Sequence, residues 1–314
     1  MAKNKVQFQK GISIHEFMEK YGTEEQCQKQ LFNMRWRNGY QCPNCGNDKY
    51  CQLKSRTLYQ CNNCHHQSSL TAGTLFDHTK LSLTTWFLAI YFITQKKNGI
   101  SILELSRHLG ISYNATWRLK HKLMQAMKER DDKKPLEGFI QLDDAYWGGV
   151  HKGTKGRGAK GKRPFVAAVS LNNAMHPVGM RFSVVKGFQK KELTDWAKHH
   201  IKAKSVAVSD GLACFNGLGD AEVFHFSVVT GGGAACVEIP YFKWVNTMIS
   251  NVKNSMHGTF HTINLKHLPR YLAEFSYKFN RRYNLKSMIE RLAFASLVTA
   301  PMPERLLKLA EQRW

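Results

Sequence analysis

The stretch FIQLDDAYW, residues 139–147, sits between Gly138 and Gly148 and reads as a β-strand carrying two adjacent carboxylates. Apolar, β-branched and aromatic residues bounded by glycine favour an extended pleat over a helix. Side chains alternate across a strand, so Asp143 and Asp144 are expected on opposite faces, with Asp144 pointing away from Asp143. Two further runs follow, FVAAVSL (165–171) and PVGMRFSVV (177–185). KKELTDWAKHHIK (190–202) then has helical composition, SVAVSDG (205–211) reads as a short buried strand, and AEVFHFSVV (221–229) as another. Three successive strands followed by helix–strand units predict an α/β domain with a mixed sheet and helices on its faces. Asp210 closes the second buried strand just before Gly211. Aspartate before glycine often marks only a turn. Carboxylates at the C-terminal ends of adjacent strands can also share a hard cation such as Mg²⁺ or Mn²⁺.

Downstream, residues 241–261 (YFKWVNTMISNVKNSMHGTFH) are apolar at helical spacing. Asn246 and Lys253 stand seven residues apart, nearly two turns of 3.6, so they point in one direction. Upstream, the polar, charged stretch ERDDKKPLEG (129–138) reads as a linker. These signals divide the chain into an N-terminal helical segment (1–38), a cysteine-rich ribbon (39–70), a helical domain (71–130), the α/β domain (137–285) and a helical tail (286–314).

CPNC and CNNC supply Cys42, Cys45, Cys61 and Cys64. Two CxxC knuckles around a strand-forming stretch give the spacing of a four-thiolate zinc ribbon, in which the metal supplies much of the folding energy. In residues 99–127, Ile102, Leu105 and Leu109 form an apolar stripe. Gly110 breaks that helix and Ser112 caps the next, which is a helix-turn-helix pattern. The second helix carries Asn114, Arg118, Lys120, His121 and Lys122, a set suited to a DNA groove.

The chain has 46 Lys+Arg against 23 Asp+Glu, a net charge of +23 over 314 residues. Such an excess favours a polyanionic partner, with double-stranded DNA first. The glycine- and lysine-rich residues 148–164 (GGVHKGTKGRGAKGKRP) add Lys155, Arg157, Lys160, Lys162 and Arg163 as backbone-contacting candidates. They lack the GxxxxGK[ST] order of a nucleotide-binding loop, which argues against ATP. The longest apolar run, WFLAIYFI (86–93), is too short to span a bilayer, and the N-terminal residues lack a signal-peptide core. A cytoplasmic, DNA-associated protein without a membrane partner is expected.

Taken together, CPNCG…CNNCHHQSSLTAGTLF, QLDDAYWGG, SDG and WVNTMISNVKNSMHGTFH…RYLAEFSYKFNRR resemble the ISXO-like bacterial insertion-sequence transposases, in the same order and over about residues 20–290. The resemblance implies a ribonuclease-H-like core that uses Mg²⁺ to cut and join DNA at the terminal inverted repeats of an element. It implies Asp143 and Asp210 as the first two catalytic acids. The third position falls on Asn246, with Lys253 as the following lysine, where most enzymes of the DDE type have glutamate and this family varies. Glu238 and Asp144 are rivals for that third place. Holding two DNA ends implies a homo-oligomer on DNA. The asparagine leaves open a second reading, a catalytically inactive DNA-binding relic or regulator.

Overall fold

The structure is a computed structural model that describes residues 10–53, 57–148, 161–229, 239–260 and 262–310. It divides into two compact units, residues 1–126 with 283–314, and residues 127–282.

In the first unit, α1 (Ile14–Tyr21) and α2 (Glu24–Arg35) each begin with a capping box, at Ser13 with Glu16 and at Thr23 with Gln26. In that device two side chains satisfy otherwise orphaned amides reciprocally. The ribbon follows as three short antiparallel strands, β1 (Tyr50–Leu53), β2 (Leu58–Cys61) and β3 (Gln67–Ser69), in the order β1-β2-β3. Tyr40, Tyr59 and Leu70 pack beside Cys42 and Cys61, with Phe32 and Trp36 of the α2 end against them. The apolar run at 86–93 lies in α3 (Leu83–Gln95), where Trp86, Phe87, Ile90 and Ile93 are buried. Glu24 accepts from the Leu83 and Thr84 amides and so caps α3 from α2. The pair α4 (Ile102–Leu109) and α5 (Tyr113–Asp132) turns at Gly110, whose φ of +64° is left-handed. Such a C-cap favours glycine because a Cβ is disfavoured there. The helices α9 (Met288–Val298) and α10 (Glu304–Leu309) belong to this unit, with α9 packed on α2 and α3. Among the described residues no helix is long and apolar enough to cross a membrane.

The second unit carries a five-stranded mixed sheet in the order β6-β5-β4-β7-β8. Its strands are β4 (Phe139–Trp147), β5 (Arg163–Leu171), β6 (Pro177–Val184), β7 (Val206–Ser209) and β8 (Phe224–Ser227). The first three are antiparallel neighbours, and β7 and β8 add in parallel. This is a ribonuclease-H-like sheet, with the mixed strand directions expected from the sequence. On one face Ile140 and Leu142 of β4 pack with Leu193, Trp196 and Ala197 of α6 (Lys190–His200) and with Phe215 and Leu218 of a 3₁₀ turn, Ala213–Ala221. Each large apolar side chain buried there contributes about 1.5–3 kcal/mol. The other face carries α7 (Lys243–Thr259), against β4 and β5, and α8 (Leu268–Asn280), against β6.

At the end of the β4–β5 pair Gly148, at φ +127°, meets Gly161. A Cβ on Gly148 would lie 2.9 Å from the Gly161 carbonyl oxygen, so a side chain there forces the strands apart.

Candidate metal centre and basic surface

The central strand sets the geometry. It pairs with β5 along its whole length, Asp143 opposite Ala167, but with β7 only through Phe139–Gln141. Beyond Gln141 the β7 side of β4 is open. Asp143 and Asp144 lie at the mouth of this fork, and Asp210 follows the last residue of β7. Asp143, Asp144 and Asp210 each bring a carboxylate oxygen into a cluster whose members lie within 4.8 Å of one another. The expectation that Asp144 points away from Asp143 is therefore corrected. Alternation does hold for the strand body, where Leu142 enters the α6 core and Gln141 meets α7. At an unpaired strand edge, however, a short carboxylate can bend round into the opening from either face.

Burial, and then the negative charges of Asp144 and Asp210, push Asp143 up to about 7. The Asp144 amide, which donates to Asp143 Oδ1 at 2.9 Å, and the Lys253 ammonium pull it back. Lys253 is itself lowered by burial, opposed by Asp143 and reinforced by Lys162. The α7 lysine therefore acts electrostatically on the β4 aspartate. Asn246 and Lys253 are both half-buried on α7. The helix is held at three points: Gln141 bonds its first turn, the Trp244 indole donates to Met175 O at 2.7 Å, and Trp147 stacks on His257 at 4.5 Å. Beside Asp210, Ser209 shares a 2.8 Å hydrogen bond with Nε2 of His225 on β8. Three hard oxygen donors converging where β7 ends beside the middle of β4, one of them a carboxyl raised by burial and like charge, fit a divalent cation of the Mg²⁺ class.

The four ribbon cysteines also converge, with every sulfur within 4.8 Å of the others. Cys42 Sγ lies 3.5 Å from Cys64 Sγ, and Cys45 Sγ 3.6 Å from Cys61 Sγ. A zinc tetrahedron with metal–sulfur bonds near 2.3 Å has edges of about 3.8 Å, so the cluster is already of that size. The backbone amides of Cys64 and Asn63 hold the Cys61 thiol below its usual range, and the His66 amide does the same for Cys64. Such amides stabilise the thiolate form that a metal requires.

The basic candidates divide. Lys120 is fully buried and donates from Nζ to Ile100 O at 2.5 Å. Lys122 is half-buried, with Nζ 3.3 Å from Leu75 O and 5.8 Å from the Trp86 ring centre. His121 is buried and stacked on Trp117 at 4.2 Å. These residues do not form the outward reading face expected of α5, and that expectation is corrected. Lys120 stands two residues from both Arg118 and Lys122, and residues two apart on a helix do not share a face, a signal present in the spacing itself. Arg118 remains half-exposed and pairs with Glu304 of α10 at 2.7 Å. Tyr113 and Asn114 are exposed at the start of α5. Arg163 is exposed and Lys162 half-buried at the start of β5. Lys155, Arg157, Lys160 and the rival Glu238 lie outside the described residues. What sequence reasoning missed is Gln141, an amide inside an apolar strand that gives no spacing signal.

Comparison with known proteins agrees with this architecture. Residues 135–280 match the family model of the ISXO2-like transposase domain, and residues 22–67 match that of the transposase zinc-ribbon domain. A protein of Halobacterium salinarum, "Uncharacterized protein in transposable element ISH50", is 32% identical over 139 residues, covering 43% of this chain and 45% of that protein. The match thus spans less than half the relative's length. A chain of a pre-cleavage Mos1 transpososome aligns at 8% identity over 66% of this chain and 78% of its own, with a TM-score of 0.21, too low to bear on the fold. The chain is thus similar to an ISXO2-like transposase domain across its sheet and to a transposase zinc ribbon in the segment that precedes it.

Proposed function

We propose that the chain is the transposase of an insertion sequence, which binds the element's ends and carries out metal-dependent cleavage and strand transfer on double-stranded DNA. The observation that carries this reading is the convergence of Asp143, Asp144 and Asp210 at the open fork between β4 and β7, with the charge of Lys253 reaching Asp143 from α7. Asp143, Asp210 and Asn246 would hold Mg²⁺ or Mn²⁺. When bound, such a cation lowers the pKa of an attacking water and steadies the leaving oxygen of a phosphodiester. Burial and the neighbouring carboxylates raise Asp143 to about 7 against the pull of Lys253, and a cation held there would favour its ionised form. Asp144 supplies the negative charge that a neutral amide at 246 withholds. Lys253 is suited to orient a DNA phosphate, since its ammonium is drawn toward the same cluster. The work of these residues is positioning and charge compensation more than proton shuttling.

The ribbon cysteines would hold structural Zn²⁺, and Arg118, Lys162 and Arg163, with Lys155, Arg157 and Lys160, would meet the phosphate backbone. The partner is DNA, with a homo-oligomer needed to bring two ends together in the cytoplasm. The test incubates purified protein with DNA flanking its gene and Mg²⁺, and maps 3′-hydroxyl ends. Cuts at fixed termini that vanish in Asp210→Ala are expected. Zinc-dependent binding with no cuts in either Mg²⁺ or Mn²⁺ would reject the catalytic part.

A further inference from the structure

The first turn of α7 has no cap of its own. Its N-cap residue is Phe242, which offers no side-chain acceptor. The opening amides of a helix lack intrahelical partners, and leaving them dry and unpaired is costly. Gln141 fills that role from another element. Its Oε1 accepts from Trp244 N at 3.0 Å and from Val245 N at 3.1 Å, while its Nε2 donates to Pro240 O at 3.0 Å. The side chain is fully buried. It thus reads three backbone groups of the segment leading into α7, and it does so from the strand residue two before Asp143, on the same face of β4. Asn246 is the next residue after the second capped amide. A short hydrogen-bonded linkage therefore runs from the strand that carries Asp143 to the helix turn that carries Asn246.

We propose that Gln141 is the positioning residue of the metal centre: by capping α7 from β4, it fixes Asn246 against Asp143 and thereby sets the affinity of the site for a divalent cation. This rests on the assignment of Asn246 as a ligand in the proposed function. A polar group in this place is not a general demand of the core, because the α6 face of the same strand is filled by Ile140 and Leu142. An amide is also the side chain that meets all three needs. Its oxygen takes two N–H groups, and its nitrogen satisfies a carbonyl that a carboxylate would repel.

The test uses the full, zinc-loaded chain and Mn²⁺ as probe. Bound Mn²⁺ is counted by loss of the free-ion EPR signal, and binding that Asp210→Ala abolishes is assigned to the site. Gln141→Met keeps the shape and removes all three bonds. It is expected to weaken that binding by about 10-fold or more, the usual effect of losing a partner that orients a ligand. It should also speed amide exchange at Trp244 and Val245, and adding Asn246→Ala should bring no further loss. Gln141→Glu keeps the acceptor for both amides and guards against a Met variant that fails to fold. It should retain their protection while losing the Pro240 contact, so its Mn²⁺ affinity should fall between those of the parent and Gln141→Met. The proposal is overturned if folded Gln141→Met binds Mn²⁺ like the parent, or if Asn246→Ala weakens binding equally in both backgrounds. It is also overturned if folded Gln141→Glu loses amide protection at Trp244 and Val245, or if the parent binds no Mn²⁺ that Asp210→Ala removes. A parent that binds Mn²⁺ at the site but yields no 3′-hydroxyl ends would sink the transposase chemistry and leave the role of Gln141 standing.

Discussion

The cysteine cluster and the carboxylate cluster are each gathered within 4.8 Å, yet they are assembled in different ways. The cysteines arrive in two CxxC knuckles within residues 42–64, with the paired strands β1 and β2 between them. Local spacing nearly closes the tetrahedron. The carboxylates come from residues 143, 144 and 210, and meet only because β4 and β7 pair in parallel for three residues and then part. A knuckle needs metal to hold a small ribbon together. The fork is held by its sheet, and a cation there would relieve a charge problem instead of building the fold. On the proposed reading zinc forms the ribbon, whereas a cation at the fork would offset charge within a sheet already formed.

The contrast can be broken most directly at the ribbon. Chelation of zinc, or Cys61→Ser, is expected to abolish protection of residues 42–69 from amide exchange. Structural zinc contributes about 10–16 kcal/mol of apparent binding energy in such small units. Persistent protection in a zinc-free sample, verified by elemental analysis, would show that the aromatic packing of Tyr40 and Tyr59 suffices alone.

Asp210→Ala makes the opposite case. Fold and melting temperature should survive, while Mg²⁺-dependent strand cleavage falls by about 100-fold or more, at least the effect of losing a partner of a ligand. A variant that unfolds instead would mean that the carboxylate supports the sheet.

A pH titration sharpens the charge argument. In the unfolded chain Asp143 ionises near its ordinary 3.8, whereas in the fold it is pushed up to about 7. Between those values the folded state binds the extra proton, so without divalent metal stability falls as pH rises from about 4 to about 7. The loss attributable to Asp143 is at most about 4 kcal/mol. Asp143→Asn should flatten this limb in urea melts, and Mg²⁺ should restore stability at high pH in the parent only. A parent whose stability is unchanged across that window contradicts the buried charge cluster.

Smaller effects separate Asp144 from the ligand set. Asp144→Asn should raise the Mg²⁺ needed for half-maximal cleavage while leaving the rate at saturating metal close to the parent. A rate lost at every Mg²⁺ concentration would make Asp144 a ligand in its own right. The smallest test concerns α5. Lys120→Met should change stability by about 1–3 kcal/mol, because Ile100 O loses its donor, yet leave the salt slope of DNA binding unaltered. A reduced slope would return Lys120 to the DNA face.

Much was legible in the residues themselves. The alternation from three strands to helix–strand units was visible because strand faces must alternate and buried strands must be apolar. The zinc cluster was visible because metal geometry constrains close neighbours in sequence. Gly110 and Ser112 announced the turn between α4 and α5 through backbone conformation and capping, which are local. Lys120 was misread because net charge invites every lysine outward, although its spacing from Arg118 and Lys122 argued otherwise.

Sequence by itself therefore determined the ribbon, the mixed sheet and the candidate positions 143, 210, 246 and 253, since each follows from periodicity, ligand spacing or family resemblance along the chain. Tertiary structure alone decided that Asp144 joins the cluster, that Lys120 turns inward onto Ile100 O, and that Gln141 caps α7. Each of these depends on where one strand stops pairing or one helix lacks a partner, and no residue carries that information until distant segments meet.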